Sequence, residues 1–433
     1  MIDNMEILLE SFERCRKGSG WKTSVQSFER RKMIECWKLA ESLKDRTYQQ
    51  KPFREFTICE RGKARPIRAM HVADRVVQRA FCDRILVPAL LPKLIHDNGA
   101  SLQGKGVSFA RNRIETHLRN YWLRNGSKGY VLLMDFSKFF DNIPHEMVLD
   151  RLKEIPSIKP WMWLLERMLK SFEYDVSYGW DENAPFNSAR HREIVASGGL
   201  QNGSKILRKS LGIGSQISQI LGVWYPAPID TWCKCVKGLK EYGRYMDDIY
   251  AFHPSKEYLK EIRDGIIGRA RKMGMFINPK KTRICRIDRK FTFLKVQYRL
   301  EENGRIWKRL SSRTFIRMRR KLKKLKRMLL EGRIVEEYVL QCYESWKGMV
   351  LKYKASRKPL EATEEVFKRL FGDLKRKSRK KRTNGARLFQ QARSRHFRLE
   401  SVIRPDLIGK RNQYEEQEYL KPRKPYFDTK HWE

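Results

Sequence analysis

Three aspartates stand apart in a strongly basic chain. Asp135 follows the apolar run Tyr130-Val131-Leu132-Leu133-Met134. Asp247 and Asp248 sit side by side between Gly243-Arg244-Tyr245-Met246 and Ile249-Tyr250-Ala251-Phe252. An aspartate where a strand runs into water is an ordinary turn residue, and that accounts for either cluster alone. It accounts poorly for both, because adjacent carboxylates in apolar surroundings repel unless a cation lies between them. Oxygen-only ligands select Mg2+ or Mn2+ rather than zinc. Two such ions about 4 Å apart are the machinery of phosphoryl transfer, one activating the attacking hydroxyl and one stabilising the triphosphate.

The elements around them can be read from periodicity. Apolar residues three and four apart predict helices over most of residues 1–49, and Lys51-Pro52 ends that pattern. FTICERGKARPIRAM predicts a hairpin, and HVADRVVQRAFCDRILVPALLPKLI and RNRIETHLRNYWLR predict helices. YVLLMDF predicts a strand, PHEMVLDRLKEI a helix, and residues 176–205 a long polar loop or irregular hairpin. A helix around 216–240 should lead into the strand-turn-strand unit GRYMDDIYAFH, then an amphipathic helix and one short strand, FTFLKVQYRL. Three helices follow, the last dissolving into the basic run 375–382. The mixture of helices and antiparallel hairpins predicts an α+β fold rather than a doubly wound parallel sheet.

Tyr245-Met246-Asp247-Asp248 resembles the YxDD motif of reverse transcriptases, and its context carries the resemblance across residues 50–300. DFSKFFDNIPH is similar to the first palm motif of bacterial and intron-type members. RGKARPIRAMHVADRVVQRAFCDRIL resembles their basic fingers motif, and Gly274-Met275-Phe276-Ile277-Asn278-Pro279-Lys280-Lys281-Thr282 their fourth motif. Phe293-Leu294 resembles the primer-grip hairpin, with Lys295 where a glycine usually follows. The resemblance implies a right-hand polymerase fold: an N-terminal helical extension at 1–49, fingers at 50–125, and a palm at 126–302 with an insertion at about 146–210. A helical thumb at 303–374 and a basic tail at 375–433 complete it.

It also implies roles. Asp135, Asp247 and Asp248 would hold two Mg2+ ions, with Mn2+ as a substitute. Lys63, Arg65 and Arg68 would face the triphosphate, though a solvated basic face is the plainer reading of those three. Phe140 would stand against the sugar C2′ and exclude a 2′-hydroxyl; without the family it reads as a core phenylalanine beside Phe139. Gly214, Gln219 and Lys281 join the nucleotide side, Lys281 as an aid to pyrophosphate departure. Ser218, Tyr245, Met246, Phe293 and Leu294 fall on the template–primer side.

The second palm motif departs from the usual Q-G-x-x-x-S-P, reading Ile213-Gly214-Ser215-Gln216-Ile217-Ser218-Gln219. This form resembles that of diversity-generating retroelement enzymes, whose synthesis is error-prone at template adenines. Some defence-associated bacterial members, which would work with a structured non-coding RNA or accessory protein, also depart from it. An intron maturase-like RNA-binding protein is the remaining subgroup. A non-catalytic scaffold is disfavoured by the presence of all three aspartates, and residue types do not discriminate template-independent synthesis or protein priming.

The composition agrees with a nucleic-acid partner. The chain has 433 residues and a net charge of +43, which points to a polyanion, while 41% hydrophobic residues are enough for a real core. No run of about 18 apolar residues predicts a membrane span, and the acidic start MIDNMEILLE lacks a signal pattern, so a cytoplasmic protein is expected. The eight cysteines are scattered without a second close pair or a His pair, and read as reduced thiols. RNA template, cDNA or primer and dNTPs are the expected partners.

Overall fold

The strand that ends near Asp135 lies inside the main sheet. The computed structural model describes residues 2–60, 63–175, 206–212, 214–372 and 374. Strand β3 (Tyr130–Ser137) is buried along all but its two end residues, which explains its unbroken apolar run. It pairs antiparallel with β7 (Asp248–His253) on one edge and with β8 (Phe276–Ile277) and β9 (Arg283–Arg286) on the other. Beyond β7 lies β6 (Tyr242–Tyr245), its hairpin partner. The α+β class with antiparallel pairing is therefore as expected.

Among the described residues the chain forms two compact units. One comprises residues up to 57 and 66–307; the other comprises 58–65 and those from 308 on. In the first, α1 (Met5–Arg16), α2 (Thr23–Arg30) and α3 (Lys32–Lys44) occupy the region read as helical. Leu8 and Phe12 of α1 are buried, and Arg14 bonds Asp83 at 2.8 Å beyond α4 (Val72–Phe81). The hairpin of β1 (Arg54–Glu60) and β2 (Lys63–Ala69) precedes α4. Helices α5 (Val87–Leu90) and α6 (Val107–Asn125) lead to β3.

After β3 come α7 (His145–Lys153) and α8 (Met162–Lys170). The expected loop at 176–205 lies outside the described residues, with short strands β4 (Tyr174–Asp175) and β5 (Ile206–Leu207) flanking it. The single helix expected over 216–240 is broken into α9 (Gln216–Trp224), α10 (Ala227–Thr231) and a π-turn (Trp232–Val236). Pro226 and Pro228 are the cause, since proline removes an amide donor and fits only the first turn of a helix. Helix α11 (Lys256–Lys272) buries Leu259, Ile262, Ile266 and Ala270, at helical spacing, and Ser255 caps it.

FTFLKVQYRL is a hairpin rather than one strand. β10 (Phe291–Phe293) and β11 (Val296–Leu300) pair antiparallel around Leu294 and Lys295, with φ of +45° and +69°. Without a glycine, the turn gives no local signal. β12 (Ile306–Leu310) follows.

The second unit holds α12 (Ser312–Leu330), α13 (Glu336–Val350) and α14 (Arg357–Phe371). α14 stops at Gly372, at φ +62°, and the basic run 375–382 lies outside the described residues. Tyr343 stacks on Phe367 at 4.0 Å and belongs to the core of this unit. Every cysteine whose side chain is described is free, and among the described residues no helix is long and apolar enough to cross a membrane.

Candidate active site

The register of β3 and β7 sets Asp135 directly opposite Asp248. Tyr245 and Asp248 close the β6–β7 hairpin, leaving Met246 and Asp247 as its two-residue turn. Met246 takes φ +54°, a conformation that suits glycine, so the surrounding structure must hold it. The carbonyl of Asp247 accepts a bond from the amide of Phe136 at 3.1 Å, which ties the turn to β3. Asp135 is buried and the other two aspartates are half-buried. Burial, with Asp247 and Asp135 adding to it, pushes the Asp248 carboxyl up to about 7. Asp248 thus feels the charges of the other two carboxylates.

Lys281 is a cation that answers them. β8 pairs with residues 136–137 of β3 and β9 with residues 130–133, so the connection at 278–282 must bridge the stretch that holds Asp135. The amide of Asn278 donates to the carbonyl of Asp135 at 2.8 Å, and the hydroxyl of Thr282 donates to the carbonyl of Asn278 at 2.8 Å. That turn delivers Lys281 Nζ to Oδ2 of Asp135 at 2.6 Å. Burial works against the ammonium, yet the bond to Asp135 and the charges of Asp247 and Asp248 raise its pKa above the ordinary lysine value.

Among the described residues no three His, Cys, Asp or Glu side chains converge as a finished metal set. The donor chemistry nevertheless suits a hard divalent cation: all three groups offer carboxylate oxygens, and a lysine ammonium takes up part of their charge.

The reverse transcriptase (RNA-dependent DNA polymerase) family model matches residues 49–298. The chain belongs to this family. A relative in Saccharomyces cerevisiae, the putative COX1/OXI3 intron 1 protein, is 23% identical over 177 residues. That match takes in 40% of this chain and 20% of the yeast protein, so the chain spans about a fifth of the length of that relative. Among solved structures, telomerase from Candida albicans with a TWJ fragment of telomeric RNA is similar at 13% identity and TM-score 0.39, over 74% of this chain and 56% of that one. Apo telomerase from Candida tropicalis is similar at 14% identity and TM-score 0.38, over 61% and 58%. The right-hand polymerase fold is the fold class of the family, and divalent-metal dependence is general within it.

Other motif residues of this reverse transcriptase chain take varied positions. Phe140 is half-buried, its ring 5.2 Å from that of the buried Phe139 and against Gly222, where a Cβ would come within 2.9 Å of it. It is therefore neither a deep core residue nor a free side chain. Gly214 is exposed at φ +114°, a conformation that needs glycine, and Ile213 lies outside the described residues. Ser215 caps α9 and bonds the Ser218 hydroxyl at 2.8 Å, so Ser218 is buried within the cap. Gln219 is exposed, within 3.5 Å of the Ser101 hydroxyl. Tyr245 and Met246 are half-buried beside the aspartates. Phe293 is buried against Tyr250 at 4.9 Å, leaving Leu294 at the turn, where its carbonyl accepts from Arg111 at 2.6 Å. Lys63, Arg65 and Arg68 belong to β2, and their side chains lie outside what the structure describes.

Two residues that no sequence motif includes also carry the site. Arg111 reaches from α6 to the β10–β11 turn, and Arg244 lies within the apolar strand β6, paired with Asp230 of α10. An arginine at an inward position of a strand and an aspartate in an apolar helix are the signals that could have pointed to the second pairing.

Proposed function

We propose that this chain is an RNA-directed DNA polymerase that extends a primer with dNTPs on an RNA template. The observation that carries the reading is the opposition of Asp135 and Asp248 across β3 and β7, with Asp247 in the adjoining turn. Asp135, Asp247 and Asp248 would hold two divalent cations, Mg2+ or Mn2+ in its place, whose chemistry is to activate a hydroxyl and neutralise a triphosphate. Lys281 keeps its proton beside them and can give it to a departing pyrophosphate oxygen. Phe140, backed by Gly222, limits the room beside the sugar of an incoming nucleotide. The family resemblance puts Gly214 and Gln219 on the nucleotide side and would give Lys63, Arg65 and Arg68 the role of neutralising a triphosphate. Tyr245, Met246 and Leu294 face the primer end, while Ser218 and Phe293 serve from beneath as supports for α9 and the β10–β11 turn.

In this reading residues 1–49 are an extension, 50–125 fingers, 126–302 palm, 303–374 thumb and 375–433 a basic tail. The departure of the second palm motif favours an error-prone retroelement enzyme, with a phage-defence enzyme carrying a non-coding RNA as the alternative. The intron-encoded yeast relative favours a second reading, a maturase-like RNA-binding role.

The test is dNTP incorporation on a primed RNA by the full chain and by Asp247→Ala/Asp248→Ala. The double variant should bind RNA and make no DNA; undiminished synthesis would overturn the assignment. Sequencing the product opposite template adenines separates the subgroups, since only the error-prone reading expects errors concentrated there.

A further inference from the structure

Arg244 precedes the turn that carries Asp247, and its side chain and that of Asp230 are both wholly shielded from solvent. Two charges in an apolar interior are costly, and attraction offsets that cost only where the remaining donors and acceptors are also satisfied. Here all three guanidinium nitrogens donate. Nε of Arg244 donates to the two Asp230 oxygens at 2.9 and 3.0 Å, and Nη2 donates to Oδ2 at 2.6 Å and to the Val223 carbonyl at 2.7 Å. The Tyr242 hydroxyl donates to the same carboxylate at 2.7 Å. Nη1 donates to the carbonyl of Met246 at 3.0 Å.

That last bond bears on the active site. The Met246 carbonyl belongs to the peptide that joins Met246 to Asp247, and a peptide is a rigid plane. Holding its oxygen fixes the plane whose far end is the Asp247 Cα. The residue on its near side sits at φ +54°, a conformation that relaxes unless held. An apolar pair of similar size could fill the same space with comparable stability, but it would offer no donor to the turn.

We propose that Arg244 is a positioning residue: with Asp230 as its buried counter-charge, it clamps the Met246–Asp247 peptide and so aims the Asp247 carboxylate. This rests on the reading of Asp247 as a catalytic carboxylate. Lysine would keep the charge beside Asp230, but a single ammonium cannot also span the carbonyls of Val223 and Met246.

The experiment uses the full chain with Arg244→Lys, and with the pair Asp230→Asn/Arg244→Gln, which leaves no orphaned charge. Turnover is measured on primed RNA, and Mn2+ binding without nucleic acid is followed by electron paramagnetic resonance. In Arg244→Lys, kcat should fall about 10- to 100-fold, while KM for dNTP stays within about twofold. Mn2+ affinity should fall about tenfold, with RNA affinity and thermal midpoint near wild type. A merely structural arginine would lower the folded fraction and leave kcat per folded molecule and Mn2+ affinity unchanged, which overturns the proposal. If Arg244→Lys does not fold, the neutral pair decides by the same two readouts. A wild-type chain that makes no DNA would instead sink the polymerase reading, and the Mn2+ comparison would still judge the clamp.

Discussion

Lys281 Nζ stands 2.6 Å from Oδ2 of Asp135, a partner 146 residues away in sequence. The pairing exists because β8 and β9 pair with different stretches of the same strand and the connection between them has to cross at Asp135. A lysine here answers the carboxylates in the free protein, and under the proposed function it would offer a proton to the departing pyrophosphate.

Replacing Lys281 with Met should therefore lower kcat by about 100-fold, within the range of a lost general acid. The loss should shrink as the leaving group is made a weaker base. Single-turnover incorporation with dNTPs of altered leaving group measures this, and an unchanged dependence on the leaving group would count against the proton-donor role.

Asp248 supplies a pH dependence. Its carboxyl is raised to about 7 by burial and by Asp247 and Asp135, above an unfolded value of about 3.9. A raised folded pKa adds stability that is complete below the unfolded value and is lost as pH rises through the folded one. In the presence of EDTA, the wild type should lose stability relative to Asp248→Asn between about pH 4 and pH 7, measured by thermal unfolding. Mn2+ affinity should fall as pH drops below about 7, because protons compete for the same carboxylate.

The β10–β11 turn holds Lys295 at φ +69°. A non-glycine residue there bears about 1–2 kcal/mol of strain, partly offset by the freedom that glycine adds to the unfolded chain. Lys295→Gly should stabilise the protein by up to about 1 kcal/mol, read as a higher urea midpoint.

Phe140 and Gly222 form a coupled pair, since a Cβ on Gly222 would sit 2.9 Å from the Phe140 ring. Under the proposed role of Phe140 as a steric barrier to a 2′-hydroxyl, Phe140→Ala should raise rNTP use relative to dNTP by about tenfold or more. Gly222→Ala should cost about 1–3 kcal/mol by overpacking. Competition between rNTP and dNTP measures the first effect and thermal unfolding the second.

Helix α12 buries Phe315, Met318, Leu322 and Leu325 and carries basic residues elsewhere. Such side chains follow backbone phosphates without reading bases. The triple change Arg313→Gln, Arg317→Gln and Lys323→Gln should flatten the slope of log affinity against log salt by about 0.7–0.9 for each phosphate that is no longer neutralised. Filter binding of an RNA–DNA duplex across salt concentrations reads it directly.

The helical stripes of α11 and α12, the buried strand β3 and the β6–β7 hairpin were all legible in the residues. Each follows from a repeat of apolar side chains within one short segment, which needs no partner to be recognised. The broken helix at 216–240 was legible in principle, since Pro226 and Pro228 stand in plain view. The β10–β11 turn gave no local signal, because Leu294 and Lys295 adopt left-handed conformations without the glycine that would announce them; only the resemblance of Phe293-Leu294 to a primer-grip hairpin pointed there.

By itself, the sequence determined which chemical groups the chain possesses: three aspartates in apolar frames, a phenylalanine pair at Phe139 and Phe140, and a large positive charge. It did so because residue type and local spacing are properties of neighbours along the chain. Only the tertiary structure decided their partners. Lys281 reaches Asp135, Arg244 reaches Asp230 and the Met246 carbonyl, and Ser218 is absorbed into the cap of α9. The first two pairings are set by strand register and helix packing between distant segments, and the last by how a helix satisfies its first amides. A charge in a sequence shows that a partner is needed, and the fold selects which one it meets.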